Sequence, residues 1–119
     1  MEKIILIGIL LSISCNIFAK DKMTKSDAIE EICTATAGYA EAVMNSRQNG
    51  VKITESIANV NKALKVGATR DYHKAIAYEA YKEPKWSTKE NQENAATEFS
   101  NKMYLICAKA FEKELSDIE

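Results

Sequence analysis

The sequence predicts an all-α protein, a small antiparallel bundle of four helices. Three observations support this fold class. The chain has one proline and four glycines, it lacks strand-like alternation of polar and apolar residues, and its apolar residues recur at three- and four-residue steps. These features favour helices joined by short turns, as in small helical bundles.

The first 19 residues have the three parts of a secretory signal peptide. A charged start, Met-Glu-Lys, precedes an almost wholly apolar run over residues 4–14, and Ala19 offers a small residue for cleavage. The run is shorter than the ~20 residues of a membrane span. We predict a signal peptide over residues 1–19, a single helical domain over residues 20–119, and a periplasmic or secreted protein that leaves the membrane after cleavage. A lipoprotein signal cut before Cys15, which would leave a lipid anchor, and an uncleaved anchor are alternatives.

The first helix is predicted to start near Ser26 or Asp27, either of which can cap its first turn, and to run to about Gln48. Asn49-Gly50 should end it, because glycine takes the left-handed conformation after a last turn at least cost. Its regularly spaced stripe consists of Ile29, Ile32, Cys33, Thr36, Ala40 and Val43.

Two shorter helices follow. The second is predicted to open at Thr54 and to run to about Val66. The third should begin after Thr69 and end before Pro84, which forbids its continuation. Along one face the third helix carries Tyr72, Ile76 and Ala80.

The fourth helix is predicted to start with a capping box, in which Ser87 accepts a hydrogen bond while the Glu90 side chain reaches back. It should run to about Leu115. Its apolar stripe consists of Ala96, Phe99, Met103, Ile106, Cys107 and Ala110. At ~1.5 Å per residue the four helices are about 33, 18, 20 and 42 Å long, so two long helices flank two short ones.

Cys33 and Cys107 remain after the predicted cleavage. An even pair in a small exported domain predicts one disulfide, with two buried free thiols as the alternative. The bridge closes a loop of ~75 residues, for which chain entropy gives ~4 kcal/mol of stabilisation. Because Cys33 lies early in the first helix and Cys107 late in the fourth, the bridge joins an antiparallel pair.

The charges are balanced, with 16 basic and 17 acidic residues and a net charge of −1. Residues 1–19 hold one of each sign, so cleavage leaves the net charge unchanged. The sequence has no run of five like charges. This balance predicts neither a nucleic-acid partner nor a polybasic membrane patch.

The sequence does not predict a catalytic or metal site. His73 is the only histidine, and Asp71, two residues away, points to another side of the helix. If both cysteines are oxidised, the thiolate of a Cys-His site is missing. Glu-x-x-His pairs, Cys-x-x-Cys-His and phosphate-binding loops are absent. We therefore expect a non-enzyme without cofactor or metal.

Aromatic residues gather in the segment AYEAYKEPKWS. Tyr78, Tyr81, Pro84 and Trp86 lie there around the predicted corner between the third and fourth helices. Aromatic side chains with polar tips are favoured at protein interfaces, although they also fill gaps between helices. These four residues form the candidate interaction surface.

Arg47 continues the stripe of the first helix by another step of four. If Cys33 faces Cys107 in an antiparallel pair, Arg47 comes level with Glu93. We predict a structural clasp in which Arg47 pairs with Glu93 or Glu90, or lies over the Trp86 ring. The sequence indicates no role for the neighbouring Gln48.

The chain also resembles a group of small exported helical proteins of bacteria and phages or prophages whose activity is uncharacterised. Their shared pattern is Cys, Met-x-x-Arg-Gln-x-Gly, Ala-Tyr-x-x-Pro, Phe and Cys, and it spans residues 33–107 here. The matching positions are Cys33, Met44, Arg47, Gln48, Gly50, Tyr81, Pro84, Phe99 and Cys107. The resemblance implies a secreted helical domain with a disulfide between its ends, and it implies no activity.

Three hypotheses for function follow from the sequence. The first is a protein-binding module that inhibits or regulates an unidentified envelope or extracellular protein through a contiguous patch from Tyr78 to Trp86. The second is an enzyme that acts on cell-envelope material, which requires a polar cleft joining His73 to an acid. The third is a purely structural envelope protein.

Overall fold

A computed structural model describes residues 23–116, with the side chains of residues 23–114. Over this range the chain forms four helices and no strand. They are α1 (Lys25–Gln48), α2 (Ile53–Ala63), α3 (Ala68–Lys82) and α4 (Lys89–Ser116). The all-α prediction, with two long and two short helices, is confirmed. The predicted signal peptide and the alternative anchor at Cys15 lie outside the described residues.

α1 begins earlier than predicted, because Thr24 caps it instead of Ser26 or Asp27. The Asp27 amide donates to the Thr24 hydroxyl at 3.1 Å, and the Thr24 amide donates to the Asp27 carboxylate at 3.2 Å. Each partner thus satisfies an amide that the first turn would leave free. The N-cap therefore lies two or three residues closer to the N-terminus than predicted, and it forms a capping box that the sequence analysis did not predict.

The end of α1 is where the sequence placed it. Gly50 has a φ of 83°, and its amide bonds to the Arg47 carbonyl at 3.1 Å. The next amide, from Val51, bonds to the Ser46 carbonyl at 3.0 Å. This is the Schellman arrangement, which uses the last carbonyls of the helix and favours glycine after the cap.

α2 is shorter than predicted. It begins at Ile53, after the N-cap Lys52, which makes no side-chain cap hydrogen bond, so Thr54 is not the cap. It ends at Ala63, and Val66 is 89% exposed. Because Val66 makes no buried contact, it offers no packing that would favour a further turn. α3 begins at Ala68, earlier than the predicted start after Thr69, and stops before Pro84 as expected.

The capping box predicted for α4 is wrong by one residue. The Thr88 hydroxyl, not that of Ser87, accepts the hydrogen bond, from the Asn91 amide at 3.2 Å. The Gln92 amide bonds to the Thr88 carbonyl at 3.0 Å. The Trp86 amide and carbonyl are both bonded to glutamine side chains, which holds this segment out of the helix, and the chain becomes helical only after Thr88.

α1 and α4 form an antiparallel pair joined by the Cys33–Cys107 disulfide, with a Cα–Cα distance of 5.6 Å. Further along α1, the Ser100 hydroxyl donates to the Ala37 carbonyl at 2.9 Å, so rising numbers on α1 meet falling numbers on α4. α3 packs mainly against α1 of this pair, and α2 packs mainly on α3. The core lies where three helices meet and consists of Ala40, Val43, Met44, Ile76, Ala77, Ala80, Ala96, Phe99 and Met103.

Several residues of the predicted stripes lie outside the core. Ile32 is 47% exposed, Ile106 is 51% exposed and Tyr72 is also exposed. Among the described side chains, α1 has no buried residue before Cys33 and α4 has none after Cys107. Ile32 and Ile106 stay exposed because α3 covers only the half of the α1–α4 pair that contains the C-terminal end of α1.

Candidate functional site

Residues 83–88, here called the strap, connect α3 to α4 and cross the C-terminal end of α1. Arg47 and Gln48 bond to the strap, and Tyr81 lies against Arg47. We call these three side chains the clasp: Arg47, Gln48 and Tyr81. The clasp fixes the backbone of Trp86, a residue that is 44% exposed. This part of the molecule combines buried polar contacts with an exposed aromatic ring.

Gln48 is the centre of the clasp, and the sequence analysis missed it. Its side chain is 3% exposed. Its Nε2 donates to the Pro84 carbonyl at 2.9 Å, and its Oε1 accepts the Trp86 amide at 2.8 Å. A side-chain amide is suited to this place because it offers a donor and an acceptor together. The available signal was the step of four from Ala40 through Met44, both fully buried, to Gln48.

Arg47 takes part in the clasp with partners other than those predicted. Its Nε donates to the Glu83 carbonyl at 3.3 Å, and its guanidinium carbon lies 5.4 Å from the centroid of the Tyr81 ring. The predicted partners Glu90, Glu93 and Trp86 make no such contact with it in the described part of the chain. The Glu93 carboxylate instead lies 3.8 Å from the Lys89 ammonium on the same helix. Gln48 bonds to the middle of the strap, and Arg47 bonds to Glu83, directly after the C-terminal end of α3.

Tyr81 is a structural pin. Its phenol donates to the Val51 carbonyl at 2.7 Å and lies 2.8 Å from the Ser56 hydroxyl. A phenol has one proton, so Ser56 is the donor in the second contact. These bonds join α3 to the α1–α2 turn and to α2, which removes Tyr81 from the set of free interface aromatics.

The predicted aromatic surface is divided by this arrangement. Tyr78 is 48% exposed and lines a depression with Ile53 and Ile57 of α2. Trp86 lines a separate cleft against α4. The two cavities share no lining residue among those described, and Pro84 is exposed on the strap between them. Tyr78 and Trp86 therefore line different concavities, and Tyr81, which lies between them in the sequence, is half-buried and bonded within the protein.

The Trp86 cleft has a volume of about 390 Å³. Its wall combines apolar, amide and charged side chains: Glu83, Trp86, Asn91, Asn94, Ala95, Glu98, Phe99 and Lys102. The Trp86 carbonyl also accepts a bond from the Gln92 side chain at 2.7 Å. Because both polar groups of its backbone are bonded, the exposed ring stands on a fixed backbone.

His73 lies in a different cavity, of about 360 Å³, between α1, α2 and α3. Its Nδ1 is 2.8 Å from the Thr69 carbonyl, and its ring centroid is 4.4 Å from that of Tyr39. Burial raises the pKa of the Tyr39 phenol above its ordinary value, and Tyr81 adds to the shift. No carboxylate is among the described residues that line this cavity. The geometry required by the enzyme hypothesis, His73 beside an acid, is therefore not formed here.

Within residues 23–116, no group of three His, Cys, Asp or Glu side chains is placed to hold a metal ion. Over the same range no helix is both long and apolar enough to cross a membrane. The chain matches no protein-family model, and comparisons with curated proteins and with solved structures find no significant match. The resemblance to exported phage and bacterial proteins therefore stays a prediction from the sequence.

Proposed function

We propose that this protein is an exported binding module that inhibits or regulates an envelope or extracellular protein through the Trp86 cleft. The observation that carries the proposal is Trp86, a residue that is 44% exposed while its backbone is bonded at both the amide and the carbonyl. Tryptophan is enriched among the residues that dominate binding energy at protein interfaces. A fixed ring also loses little freedom on binding, which favours affinity.

The chemistry of the cleft indicates what part of a partner it accepts. Glu83 and Glu98 contribute two negative charges and Lys102 one positive charge, while Asn91 and Asn94 offer side-chain amides. An apolar side chain of the partner would pack on the Trp86 ring. A neighbouring lysine or arginine would complement the acidic excess. The partner segment is therefore apolar with an adjacent basic residue.

Export is supported by the disulfide between Cys33 and Cys107. Such bonds form and persist in oxidising compartments and are rare where thiols are kept reduced. The apolar N-terminal run of the sequence has the features of an export signal, which agrees with this location. A periplasmic or extracellular partner follows from this location.

The proposal is tested by site-specific photo-crosslinking in cells that export the protein. A photoreactive residue at Asn94, inside the cleft, should give a discrete adduct with a partner protein. The same residue at Lys62, exposed on α2, serves as the control position and should not give that adduct.

Two substitutions sharpen the test. Trp86→Ala removes the ring and keeps both backbone bonds, so we expect it to abolish the Asn94 adduct. Tyr78→Ala removes an equally exposed aromatic outside the cleft and should leave the adduct intact. An adduct that persists in Trp86→Ala, or equal adducts from both crosslinking positions, would refute the proposal.

A further inference from the structure

The cavity beside His73 has properties that the proposed protein contact does not use. It has a volume of about 360 Å³ and shares no lining residue with the Trp86 cleft. Val43, Val60 and Leu64 supply apolar wall, and no charged side chain is among the described residues around it. Cavities of ~300–1,000 Å³ with mostly apolar walls and a few polar groups are typical small-molecule sites.

Two of the polar groups in this wall are already bonded. The Ser46 hydroxyl donates to the Ala42 carbonyl at 3.2 Å. The Ser56 hydroxyl donates to Tyr81, whose own proton goes to the Val51 carbonyl. Neither serine proton is left for a ligand, so the remaining side-chain donors in this wall are the Asn59 amide and the Tyr39 phenol.

His73 supplies one free acceptor. Its Nδ1 is 2.8 Å from the Thr69 carbonyl, and a carbonyl can only accept, so Nδ1 carries the proton of the neutral ring. Nε2 is then an acceptor and has no partner among the described residues. The Tyr39 ring, tilted by 57° against the imidazole, forms an aromatic wall beside it. The phenol of Tyr39 is neutral at neutral pH, as any ordinary phenol is, and burial raises its pKa further.

We propose that this cavity binds a small neutral aromatic molecule with a single N–H or O–H donor, of the size of indole or a simple phenol. Its ring packs against Tyr39 and the apolar wall, and its donor bonds to Nε2 of His73. Aromatic rings gain from offset or tilted contacts with other rings. A charged ligand would lose its hydration without meeting an opposite charge, so the site selects neutral molecules.

The test is a titration of the isotopically labelled protein with three probes, followed by amide and side-chain NMR shifts. Indole should produce saturable shifts at Tyr39, Val60 and His73. N-methylindole keeps the ring but lacks the donor and should bind about fivefold to tenfold more weakly, the value of one net hydrogen bond. Benzoate should give no saturable shift. Absence of saturable binding by indole, or equal binding by benzoate, would overturn the proposal.

Variants locate the binding site. Ala42 lies exposed on the rim of the cavity, so Ala42→Phe should fill it and weaken indole binding at least tenfold. Ala35, equally exposed on α1 but outside the cavity, makes Ala35→Phe the matched control, with unchanged binding. His73→Phe should bind indole and N-methylindole equally. Unaltered binding in Ala42→Phe, or a retained preference for indole in His73→Phe, contradicts the assignment.

The outcome is independent of the proposed protein contact. Trp86→Ala should lose the Asn94 adduct yet bind indole as the unaltered protein does. Loss of indole binding in Trp86→Ala would show that the two sites are one and would overturn the inference of a separate ligand cavity.

Discussion

The two ends of the α1–α4 pair are held together in different ways. At the C-terminal end of α1, α3 covers the pair, and the buried Gln48 bonds to the strap on two sides. At the other end, the last buried contact is the disulfide of Cys33 and Cys107, beyond which no described side chain of either helix is buried. One end is held by packing and hydrogen bonds, and the other by a covalent bond.

This difference follows from the number of helices present at each end. Three helices enclose a core in which a polar side chain can be buried and its bonds can specify one geometry. Two helices alone leave a large part of their apolar stripe in water, as Ile32 and Ile106 show. A cross-link supplies there what a small domain lacks in buried area. Buried polar contacts therefore specify the geometry at one end of the pair, and the disulfide constrains the other end.

The largest effect is expected from removal of the disulfide. Replacement of Cys33 and Cys107 by alanine should lower the free energy of unfolding by ~4 kcal/mol, the chain-entropy value for this loop length. Urea denaturation of the variant and of the unaltered protein measures the difference, and reductant should destabilise only the latter. A loss below about 1 kcal/mol would mean that packing already holds this end, contrary to the comparison.

At the clasp end, Gln48→Leu should cost about 2–3 kcal/mol, because the Trp86 amide and the Pro84 carbonyl lose their partners while partly buried. The matched control is Asn45→Leu on the exposed face of the same helix, with an expected change within about 0.5 kcal/mol. Denaturant unfolding compares the two. Equal stabilities of the two variants would mean that the hydrogen bonds of Gln48 do not stabilise the clasp.

Tyr81→Phe tests the second contact of the clasp. Removal of the phenol oxygen frees the Val51 carbonyl and the Ser56 hydroxyl, and should cost about 1–2 kcal/mol. Tyr78→Phe removes the same atom from an exposed ring that makes no hydrogen bond within the described chain, and should change little. If the two variants unfold at the same denaturant concentration, the pin formed by Tyr81 contributes nothing measurable.

A substitution between the two ends should leave the contacts at both ends unchanged. Gly38 lies inside α1, and a Cβ atom built there meets nothing within 4 Å. Gly38→Ala should therefore stabilise the protein by up to ~1 kcal/mol through helix propensity alone. Gly50→Ala, at a φ of 83°, should destabilise it. Thermal unfolding shows the opposite signs, and a destabilised Gly38→Ala would indicate a close contact on that face.

The smallest effect concerns the exposed pair of Glu79 and Lys82 near the end of α3. The Lys82 ammonium donates to the Glu79 carboxylate at 2.6 Å and lowers the pKa of that carboxyl. A lowered folded pKa gives stability that is present above the ordinary pKa of a carboxyl and is lost as pH falls through the folded value. The melting temperature of Glu79→Gln should therefore lie slightly below that of the unaltered protein at neutral pH, and the difference should vanish in acid. A difference that grows in acid would contradict this sign.

Much of the fold was predictable because it depends on local or pairwise features. The three- and four-residue spacing of apolar residues identified four helices, and Asn49-Gly50 and Pro84 marked two of their ends. Cys33 and Cys107 determined the antiparallel pairing, since one bond between early and late positions admits no parallel arrangement. Cap positions do not follow from the sequence in the same way, because Thr24, Ser26 and Asp27 are all competent caps and the sequence does not choose among them.

The candidate site was predictable only in part. Trp86 was identified from composition, and its exposure agrees with a role at an interface. The sequence predicts Tyr81 on the same surface, whereas in the structure its phenol forms hydrogen bonds within the protein. A phenol can serve in either role. The partners of Tyr81 lie ~25 to 30 residues away along the chain, and no local pattern indicates them.

The sequence by itself determined the helices, their order and the bond between the two long ones. Only the tertiary structure decided that Gln48 and not Arg47 occupies the buried position at the end of α1, and that Ile32 and Ile106 remain in water. Neighbouring residues on a helix differ by about 100° around its axis, so a stripe leaves the choice between them open. The position of the third helix and the path of the strap settle that choice, because they determine which surface is covered.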